Sequence, residues 1–465
     1  MGTHENGPPR PSPSGAAKTR VTVTVIGFDG APPGPAARRA LDQATLVVGN
    51  IRHLDALPVP ESARRIYMGG LGPALTRLAL HDGPAVVVAS GDPGYFGVVR
   101  ALREQGLRVR TVPAVSSIAT AFGRIGLAWE DALVVAVDPP PDGTDGSGRD
   151  PAKVRTGGRA AKDGGFSAGQ GASLRAAANL CRAYPKVAVL TGEGAGPREL
   201  AAELLGPDKS GPARTLVVAQ RLGEPEESVE WLSLDEAADR HIWGDPCVVL
   251  CLDEAQVLAP GAVGGLPVPL AGWAGPGGGW AAPDNAFVYR SGRVLAAEAR
   301  ALVLARLAPR PGTLVWDLGA GSGSVGIECA RLGAAVIAVE RDPDSCERID
   351  LNATMHQVRL RVVRGQAPEA LLDLPQPDAV FLGGGGADVA RAAVGRDPRI
   401  VVAAMTAIDR VAEIKTALRG EGGPGSSRRR VDGALIQSSR LVSLPGDAHR
   451  FAAQDPVFVL WSERS

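Results

Sequence analysis

Apolar residues occur along this chain in short unbroken runs, and most of the runs end at a glycine or a carboxylate. Runs of about four to eight residues with such boundaries are typical of buried strands. Helix-competent segments at 35–44, 298–307 and 325–331 alternate with the runs, which predicts the α/β fold class. The predicted strands lie at 21–26, 45–49, 85–89, 133–137, 187–191, 215–219, 247–251, 314–317, 335–339, 360–363 and 377–382.

The strand at 314–317 passes directly into a turn with three alternating glycines. Because glycine lacks a Cβ, the backbone of such a turn can approach a bound ligand closely. The next predicted strand ends at Glu340, where a parallel neighbour would place an acceptor for ribose hydroxyls. We therefore predict a nucleoside-containing cofactor at Asp317, Gly319, Gly321, Ser322, Gly323, Ser324 and Glu340.

The end of this turn indicates which cofactor binds. A dinucleotide fingerprint requires glycine at the place of Ser324, whereas here Gly-x-Gly-x-Gly follows Asp317. This pattern resembles the S-adenosylmethionine (SAM) site of Rossmann-like class I methyltransferases. A carboxylate also suits the cationic half of SAM. A tight turn that holds no ligand is the alternative.

Two later strand ends contribute to the same predicted site. Gln366 and Ala367 follow the strand at 360–363, where the adenine would lie. The strand at 377–382 ends in four consecutive glycines, 383–386. Since these glycines have no side chains to pack, we expect Gly383 to allow close approach of cofactor or substrate. A flexible loop is the alternative.

The first strand of the chain also stops at a glycine turn, 27–30, and the strand at 85–89 runs into Ser-Gly-Asp-Pro-Gly-Tyr-Phe-Gly. Small residues, a carboxylate and a proline beyond a strand end favour a ligand loop. Together with 112–117, these segments resemble the SAM-site segments of the tetrapyrrole methylase family, and the similarity extends over about 20–255. The resemblance implies a second SAM site formed by Gly27, Asp29, Gly30, Ser90, Gly91, Asp92, Tyr95, Phe96, Ser116 and Ser117.

The length of 465 residues predicts two or three domains. After a disordered N-terminus at 1–20, we expect a two-lobed tetrapyrrole methylase domain over 21–255 and a class I methyltransferase domain over 284–465. Gly- and Pro-rich sequence predicts a linker at 256–283. Low-complexity sequence predicts a disordered insertion at 139–172.

The C-terminal domain resembles the carbon-15 methylating and decarboxylating enzymes of cobalamin biosynthesis. Two unrelated SAM folds in this order resemble the family of fused precorrin-6Y C(5,15)-methyltransferases (decarboxylating). The resemblance implies methylation of reduced precorrin-6 (precorrin-6B) at carbons 5 and 15, with decarboxylation of the ring C acetate, to give precorrin-8. It also implies a homo-oligomer formed through the C-terminal domain.

A macrocycle that carries several carboxylates calls for guanidinium groups. For every candidate arginine a solvated surface role is the alternative, and the run 428–430 is predicted to be a solvated loop. His449 is a candidate proton donor or acceptor, and Asp92 could orient SAM or help to remove a proton. With Arg300 these two residues are the predicted catalytic set. The candidate arginines near the C-terminal site are Arg290, Arg293, Arg300, Arg440 and Arg450.

Fifty basic and fifty acidic residues balance, so the chain has no global field to hold a nucleic acid or an anionic membrane. No apolar run approaches the length of a membrane span, and the first twenty residues lack the apolar region of a signal peptide. Five scattered cysteines without paired metal spacing predict reduced, buried thiols in a cytoplasmic protein that holds no metal.

Two departures from the resembled families keep other functions open. Val137 leads into Asp138-Pro139-Pro140 where relatives carry Ser-x-His-Gly-Arg, and Leu295-Ala296 replaces a Thr-Lys pair. One alternative is therefore a single active half joined to a SAM-binding module without turnover. A separate alternative is a SAM-dependent RNA methyltransferase, since some relatives of both folds modify RNA. Against it stand the zero net charge and the lack of a basic stripe interleaved with aromatics.

Overall fold

The computed structural model describes residues 22–68, 71–94, 97–137, 172–192, 194–207, 209, 211–244, 247–258, 279–290, 294–420 and 429–464. The predicted N-terminal segment 1–20 and nearly all of the predicted insertion lie outside these residues, as does the middle of the predicted linker. The chain divides into two compact units. One contains residues up to Thr120 together with Leu222–Pro225, and the other contains the remainder.

The first unit is built on five parallel strands in the order β3-β2-β4-β1-β5. Parallel strands end at the same edge of a sheet, so the loops after β1, β4 and β5 lie side by side. These are the three loops that the sequence predicts to form a site. The elements are β1 (Thr22–Phe28), α1 (Pro35–Asp42), β2 (Leu46–Gly49), α2 (Ile51–Ala56), β3 (Arg64–Tyr67), α3 (Leu71–Ala79), β4 (Ala85–Ser90), α4 (Val98–Glu104), β5 (Arg108–Val112) and the start of α5 (Ser117–Arg124).

The second unit begins with a mixed sheet in the order β6-β7-β10-β8-β9. Its core includes the thiols Cys181, Cys247 and Cys251, which are buried and free, as predicted. The elements are β6 (Leu133–Ala136), α6 (Leu174–Ala183), β7 (Lys186–Leu190), α7 (Pro197–Leu205), β8 (Thr215–Gln220), β9 (Ser228–Ser233), α8 (Leu234–Asp239), β10 (Cys247–Leu252) and α9 (Glu254–Val257).

A seven-stranded sheet in the order β13-β12-β11-β14-β15-β19-β16 forms the C-terminal part. The first five strands are parallel, and β19 is antiparallel to its neighbours. The elements are α10 (Ala297–Leu307), β11 (Leu314–Leu318), α11 (Ser324–Arg331), β12 (Ala335–Glu340), α12 (Pro343–Met355), β13 (Arg361–Arg364), β14 (Ala379–Leu382), α13 (Gly386–Gly395), β15 (Ile400–Met405), α14 (Asp409–Arg419), β16 (Arg429–Ile436), β17 (Ser439–Ser443), β18 (His449–Ala453) and β19 (Val457–Arg464), with single 3₁₀ turns at Asp284–Ala286 and Glu369–Leu371.

The strand order of this sheet reverses at β11, which has β12 on one side and β14 on the other. Ligands of open α/β sheets bind beyond the carboxyl ends of the strands at such a switch point. All five residues of β11 are buried, because the two faces of the sheet pack into different cores. The predicted Rossmann-like fold is confirmed, and its switch point falls on the predicted glycine turn.

The second lobe of the predicted methylase domain, built on the mixed sheet β6-β7-β10-β8-β9, packs through α6 against the ends at which the strands of the seven-stranded sheet begin. The buried Asn179 side chain donates to the carbonyl of Gly312 at 3.2 Å and to the carboxylate of Asp378 at 3.3 Å. That carboxylate also accepts from the backbone N–H of Leu314 at 2.7 Å and pairs with Arg175 at 2.9 Å. Asp378 therefore joins the lobe to the starts of both β11 and β14.

The prediction of a solvated loop at 428–430 is wrong for Arg429. This residue begins β16 and is buried, with its guanidinium donating to the hydroxyl and carbonyl oxygens of Ser462 at 2.9 and 3.0 Å. Asp397 lies 3.4 Å away as its counter-charge. A charge run in the sequence does not reveal such a distant partner. Separately, no helix among the described residues is long and apolar enough to cross a membrane.

Candidate cofactor-binding sites

The three glycines of the C-terminal turn all adopt left-handed backbone angles. Their φ values are 68° at Gly319, 59° at Gly321 and 74° at Gly323, a region that side chains other than glycine disfavour. A Cβ added to Gly319 would also lie 2.9 Å from the backbone nitrogen of Gly384. The glycine run at 383–386 thus lies directly against the glycine turn. Close backbone packing is a reason for glycine here that does not depend on a ligand.

Asp317 is the penultimate residue of β11, and its carboxylate is almost fully buried. One oxygen accepts from the backbone N–H of Gly326 in α11 at 2.8 Å. The other oxygen, Oδ1, has no hydrogen-bond partner among the described residues. Burial raises the pKa of Asp317 to about 7, with a smaller contribution from the negative charge of Glu340. A cation placed at Oδ1 would therefore stabilise the ionised carboxylate strongly.

Glu340 lies at the end of the neighbouring strand β12 and holds the turn in place. Its Oε2 accepts from Gly321 N–H at 2.9 Å, and its Oε1 accepts from the N–H groups of Arg341 and Asp342 at 2.8 and 3.0 Å. A carboxylate has about four lone-pair positions, so Oε2 can accept one further hydrogen bond. Glu340 can both organise the backbone and receive a ligand hydroxyl.

Asn352 is an important residue of this site that the sequence analysis missed. Its buried amide donates to the carbonyls of Ser322 and Val288, both at 2.9 Å, and accepts from Val288 N–H at 2.7 Å. Asn352 therefore joins the segment around Val288, which precedes α10, to the glycine turn. Helical periodicity was the available signal, because Asn352 follows Cys346 and Ile349 on the buried face of α12.

The other predicted cofactor contacts lie at the same carboxyl edge of the sheet. Ser322 and Ser324 are buried within the turn and the start of α11. Gln366 and Ala367 follow β13, with Gln366 exposed, and Gly383 is exposed after β14. The fold thus brings the predicted C-terminal set to one edge.

The predicted catalytic residues of this domain have very different surroundings. Arg300 is fully buried in α10, donates to the carbonyls of Leu295 and Ala282, and covers the ring of Phe287 with 4.8 Å between guanidinium and ring centroid. This geometry favours a structural role for Arg300 over contact with a substrate. His449, in contrast, is exposed on the β17–β18 hairpin. Their catalytic roles stay predictions.

Among the other candidate arginines, Arg440 is already engaged. It pairs with Asp284 at 2.6 Å and with Glu298 at 3.2 Å, and these contacts raise its pKa. Arg290 and Arg450 are exposed. Arg293 lies outside the described residues.

In the first unit the three predicted loops meet through backbone atoms. A Cβ on Gly27 would lie 2.1 Å from the carbonyl oxygen of Gly91 and 2.6 Å from the nitrogen of Ala114. Gly91 has a φ of 60° and donates its N–H to the carbonyl of Phe28 at 2.7 Å. Glycine is needed here because three chain segments converge with no space for a Cβ.

The first glycine turn is covered by a segment from much later in the sequence. A Cβ on Gly30 would lie 1.9 Å from the carbonyl oxygen of Gly223, and both glycines have positive φ values, 86° and 79°. Asp29 joins the turn to the third loop, since its carboxylate accepts from Ala31 N–H at 3.1 Å and Val115 N–H at 3.2 Å. Gly30 therefore serves chain packing, a role the sequence did not indicate.

The remaining polar residues of the N-terminal set stabilise their own loops. Asp92 accepts from Gly94 N–H at 2.8 Å, an Asx turn, and Ser116 accepts from Ala119 N–H at 3.1 Å just before Ser117 begins α5. Ser90 lies at the end of β4 within 3.2 Å of the ring of His53. The predicted contacts Tyr95 and Phe96 lie outside the described residues.

Two domain models match the chain in the predicted order. A model described as tetrapyrrole (corrin/porphyrin) methylases covers residues 34–238, and a precorrin methyltransferase domain covers residues 286–429. The precorrin-6Y C(5,15)-methyltransferase (decarboxylating) of Sinorhizobium sp. is 36% identical over 376 residues, which is 79% of this chain and 79% of the relative. This chain belongs to the precorrin-6Y C(5,15)-methyltransferase (decarboxylating) family.

A second member of this family, from Mycobacterium tuberculosis (strain CDC 1551 / Oshkosh), is 31% identical over 78% of this chain and 80% of its own length. Among solved structures, the C-terminal domain of the Rhodobacter capsulatus precorrin-6Y C5,15-methyltransferase is 32% identical. It covers 40% of this chain and 98% of that domain, with a TM-score of 0.33.

Methyltransferases of the precorrin-6Y family use SAM, and the C-terminal site fits this cofactor. The buried Asp317 Oδ1 lacks a partner among the described residues, and Glu340 keeps a free acceptor position at the next strand end. SAM carries a cationic amino group and ribose hydroxyls, all of which donate hydrogen bonds. The acceptors of the site and the donors of the cofactor are therefore complementary.

Proposed function

We propose that this chain acts in cobalamin biosynthesis on reduced precorrin-6 (precorrin-6B). It methylates carbons 5 and 15 of the macrocycle and decarboxylates the ring C acetate, which gives precorrin-8. The observation that carries this proposal is family membership over most of the chain, with both methyltransferase domains present in the order of the fused enzymes. By resemblance, the C-terminal domain performs the carbon-15 methylation and the decarboxylation, and the N-terminal domain methylates carbon 5.

We assign one SAM site to each domain, so that the chain binds two molecules of the cofactor. When bound, SAM supplies an electrophilic methyl group to an electron-rich ring carbon. In the C-terminal site, Asp317 would bind the cationic end of SAM and Glu340 would bind the ribose. The glycine turn would let the cofactor approach the backbone closely, because glycine has no Cβ. Gln366 and Ala367 would border the adenine.

In the N-terminal domain, Ser90, Gly91 and Asp92 would form the cofactor loop, supported by Asp29 and Ser116. The side chains of Asp29, Asp92 and Ser116 accept hydrogen bonds from nearby backbone N–H groups. These bonds fix the shape of the loop before a ligand binds. Methyl transfer depends mainly on in-line positioning, so preorganised loops serve the reaction directly. Asp92 stays the candidate for orienting the cofactor or helping to remove a proton.

Decarboxylation requires an acceptor for the electrons of the broken carbon–carbon bond. The conjugated macrocycle can take them up, so the protein needs to bind the substrate and deliver a proton. His449 is our candidate for that proton, and Arg290 and Arg450 are the exposed candidates for substrate carboxylates. Arg300 also stays a predicted catalytic residue, although its burial against the carbonyls of Leu295 and Ala282 favours a structural role.

The test is incubation of the purified chain with reduced precorrin-6 and SAM, followed by product mass. We expect two methyl additions and one loss of carbon dioxide. A single methylation would show that one half is silent, and Asp317→Asn and Ser90→Ala variants would identify which. An unchanged macrocycle with SAM bound would contradict the assignment.

We also propose self-association through the C-terminal domain. Leu441 and Phe451 are directly paired across the β17–β18 hairpin and are 60% and 70% exposed. An exposed apolar pair on a two-stranded ribbon is costly unless a partner covers it. Sedimentation of the wild-type chain should show an oligomer, and Leu441→Ser/Phe451→Ser should shift it to the monomer. A wild-type monomer would refute this assignment.

A further inference from the structure

His53 is a buried histidine at the edge of the N-terminal cofactor loop, and no predicted function includes it. It lies on α2, is 6% exposed, and contacts the ring of Phe28 edge-on with 5.5 Å between centroids. Its Nε2 lies 3.2 Å from the hydroxyl of Ser90, the residue that opens the Ser-Gly-Asp loop. The histidine is thus in direct contact with the predicted cofactor site.

The neighbours of this ring determine its tautomer. Arg52 Nε donates to His53 Nε2 at 3.3 Å and lies 3.4 Å from a carboxylate oxygen of Glu224. A guanidinium has only donors, so Nε2 must carry the lone pair and the proton must reside on Nδ1. Nδ1 itself is buried without a hydrogen-bond partner among the described residues. Burial, followed by the charge of Arg52, lowers the pKa of His53 to about 4, so the ring is neutral at pH 7.

This tautomer fixes the direction of the Ser90 hydrogen bond. Because Nε2 carries no proton, the Ser90 hydroxyl can bond this nitrogen only as a donor, and it shares the Nε2 lone pair with Arg52. Arg52 also donates to the same hydroxyl oxygen at 3.4 Å. One lone pair of Ser90 then remains, and the hydroxyl can only accept a hydrogen bond from a further group.

We propose that His53 is a positioning residue that turns Ser90 into a dedicated hydrogen-bond acceptor for the amino or ribose hydroxyl donors of SAM. This proposal rests on the two-site function proposed above and deepens it at the N-terminal site. His53 acts only through Ser90. A neutral ring that already accepts from a guanidinium is a poor base, so the arrangement supports orientation and does not support proton removal by His53.

The test is SAM binding to the full-length chain by calorimetry, with the C-terminal site as an internal reference. Ser90→Ala and His53→Leu should each weaken N-terminal binding by about tenfold, the loss of one hydrogen bond. His53→Gln should restore near wild-type binding, because the glutamine amide oxygen can take the place of Nε2 as an acceptor. Affinity at the C-terminal site should be unchanged, and thermal unfolding of each variant shows whether the first unit is folded.

The decisive variant is the double substitution Ser90→Ala/His53→Leu. If His53 acts through Ser90, the double variant should bind no more weakly than Ser90→Ala alone. Additive losses, or a His53→Gln variant as weak as His53→Leu, would overturn the proposal and indicate a packing role. A wild-type chain with only one SAM site would instead overturn the two-site function on which it rests.

Discussion

The two glycine turns of this chain look alike in sequence, yet they solve different physical problems. The C-terminal turn surrounds a buried carboxylate, Asp317, whose second oxygen lacks a partner among the described residues, with Glu340 beside it. The N-terminal turn packs glycine against glycine, at Gly30 and Gly223, and its carboxylates accept backbone N–H groups. The C-terminal turn therefore contains a buried carboxylate oxygen without a hydrogen-bond partner among the described residues, whereas the carboxylates of the N-terminal turn have backbone partners.

This difference predicts how each site should respond to change. The C-terminal site should be sensitive to charge and pH, because a buried carboxylate is stabilised by a cation. The N-terminal site should be sensitive to backbone volume and to the direction of single hydrogen bonds. The following experiments test the contrast, from the largest expected effect to the smallest.

Gly30→Ala should destabilise the first unit by more than about 3 kcal/mol, because the new Cβ would overlap the Gly223 carbonyl. Gly106→Ala is the matched control in the same unit. Gly106 also has a positive φ, 76°, but no atom of the described residues lies within 4 Å of the position that a Cβ would take, so about 1 kcal/mol is expected. Thermal unfolding measures both, and equal losses would mean that the packing against Gly223 is unimportant.

Asp317→Asn should weaken SAM binding at the C-terminal site by about 100-fold, since it removes a charged hydrogen-bond acceptor. N-terminal binding should be unchanged in the same titration. Asp409→Asn, at an exposed position of α14, serves as the charge-matched control and should leave both sites intact. If Asp317→Asn binds normally, Asp317 serves only to hold α11.

SAM affinity at the C-terminal site should fall by about tenfold per pH unit below pH 7, because the pKa of Asp317 in the free protein is about 7 and binding requires the ionised form. Above that pH the affinity should level off. The N-terminal site serves as the reference in the same titration. Calorimetry across pH 5.5 to 8.5 tests this, and a slope that persists in Asp317→Asn would assign it to another group.

The first unit should lose about 1 kcal/mol of stability between pH 7 and 5.5 through His53. Its pKa is about 4 when folded and about 6.5 when unfolded, so unfolding takes up a proton in this window and acid favours the unfolded state. His53→Gln should remove this dependence, whereas His241→Gln, at an exposed position, should not. Denaturant titrations at the two pH values provide the measurement, and an unchanged slope in His53→Gln would contradict the buried, neutral ring.

The loops that form both candidate sites could be predicted because strand ends are local signals. The runs ending at Asp317, Glu340 and Ser90 identify loops, and parallel pairing then requires these loops to meet at one edge. The contacts that hold the loops were not predictable in this way. Gly223 lies almost two hundred residues beyond Gly30, and nothing in the local pattern links them. Helical periodicity places Asn352 on the same face of α12 as Cys346 and Ile349. A polar residue in a helix is nevertheless expected at the surface, so its burial was not predicted.

The sequence by itself determined the α/β fold class, the positions of the two glycine turns and the family resemblance, because apolar periodicity and turn chemistry are properties of consecutive residues. The tertiary structure alone decided what the charged groups do. Arg300 is buried against the carbonyl of Ala282 and Arg429 against that of Ser462, and Asp317 and His53 have shifted pKa values. Desolvation and partner geometry depend on residues far apart in the chain, so only the folded arrangement sets these properties.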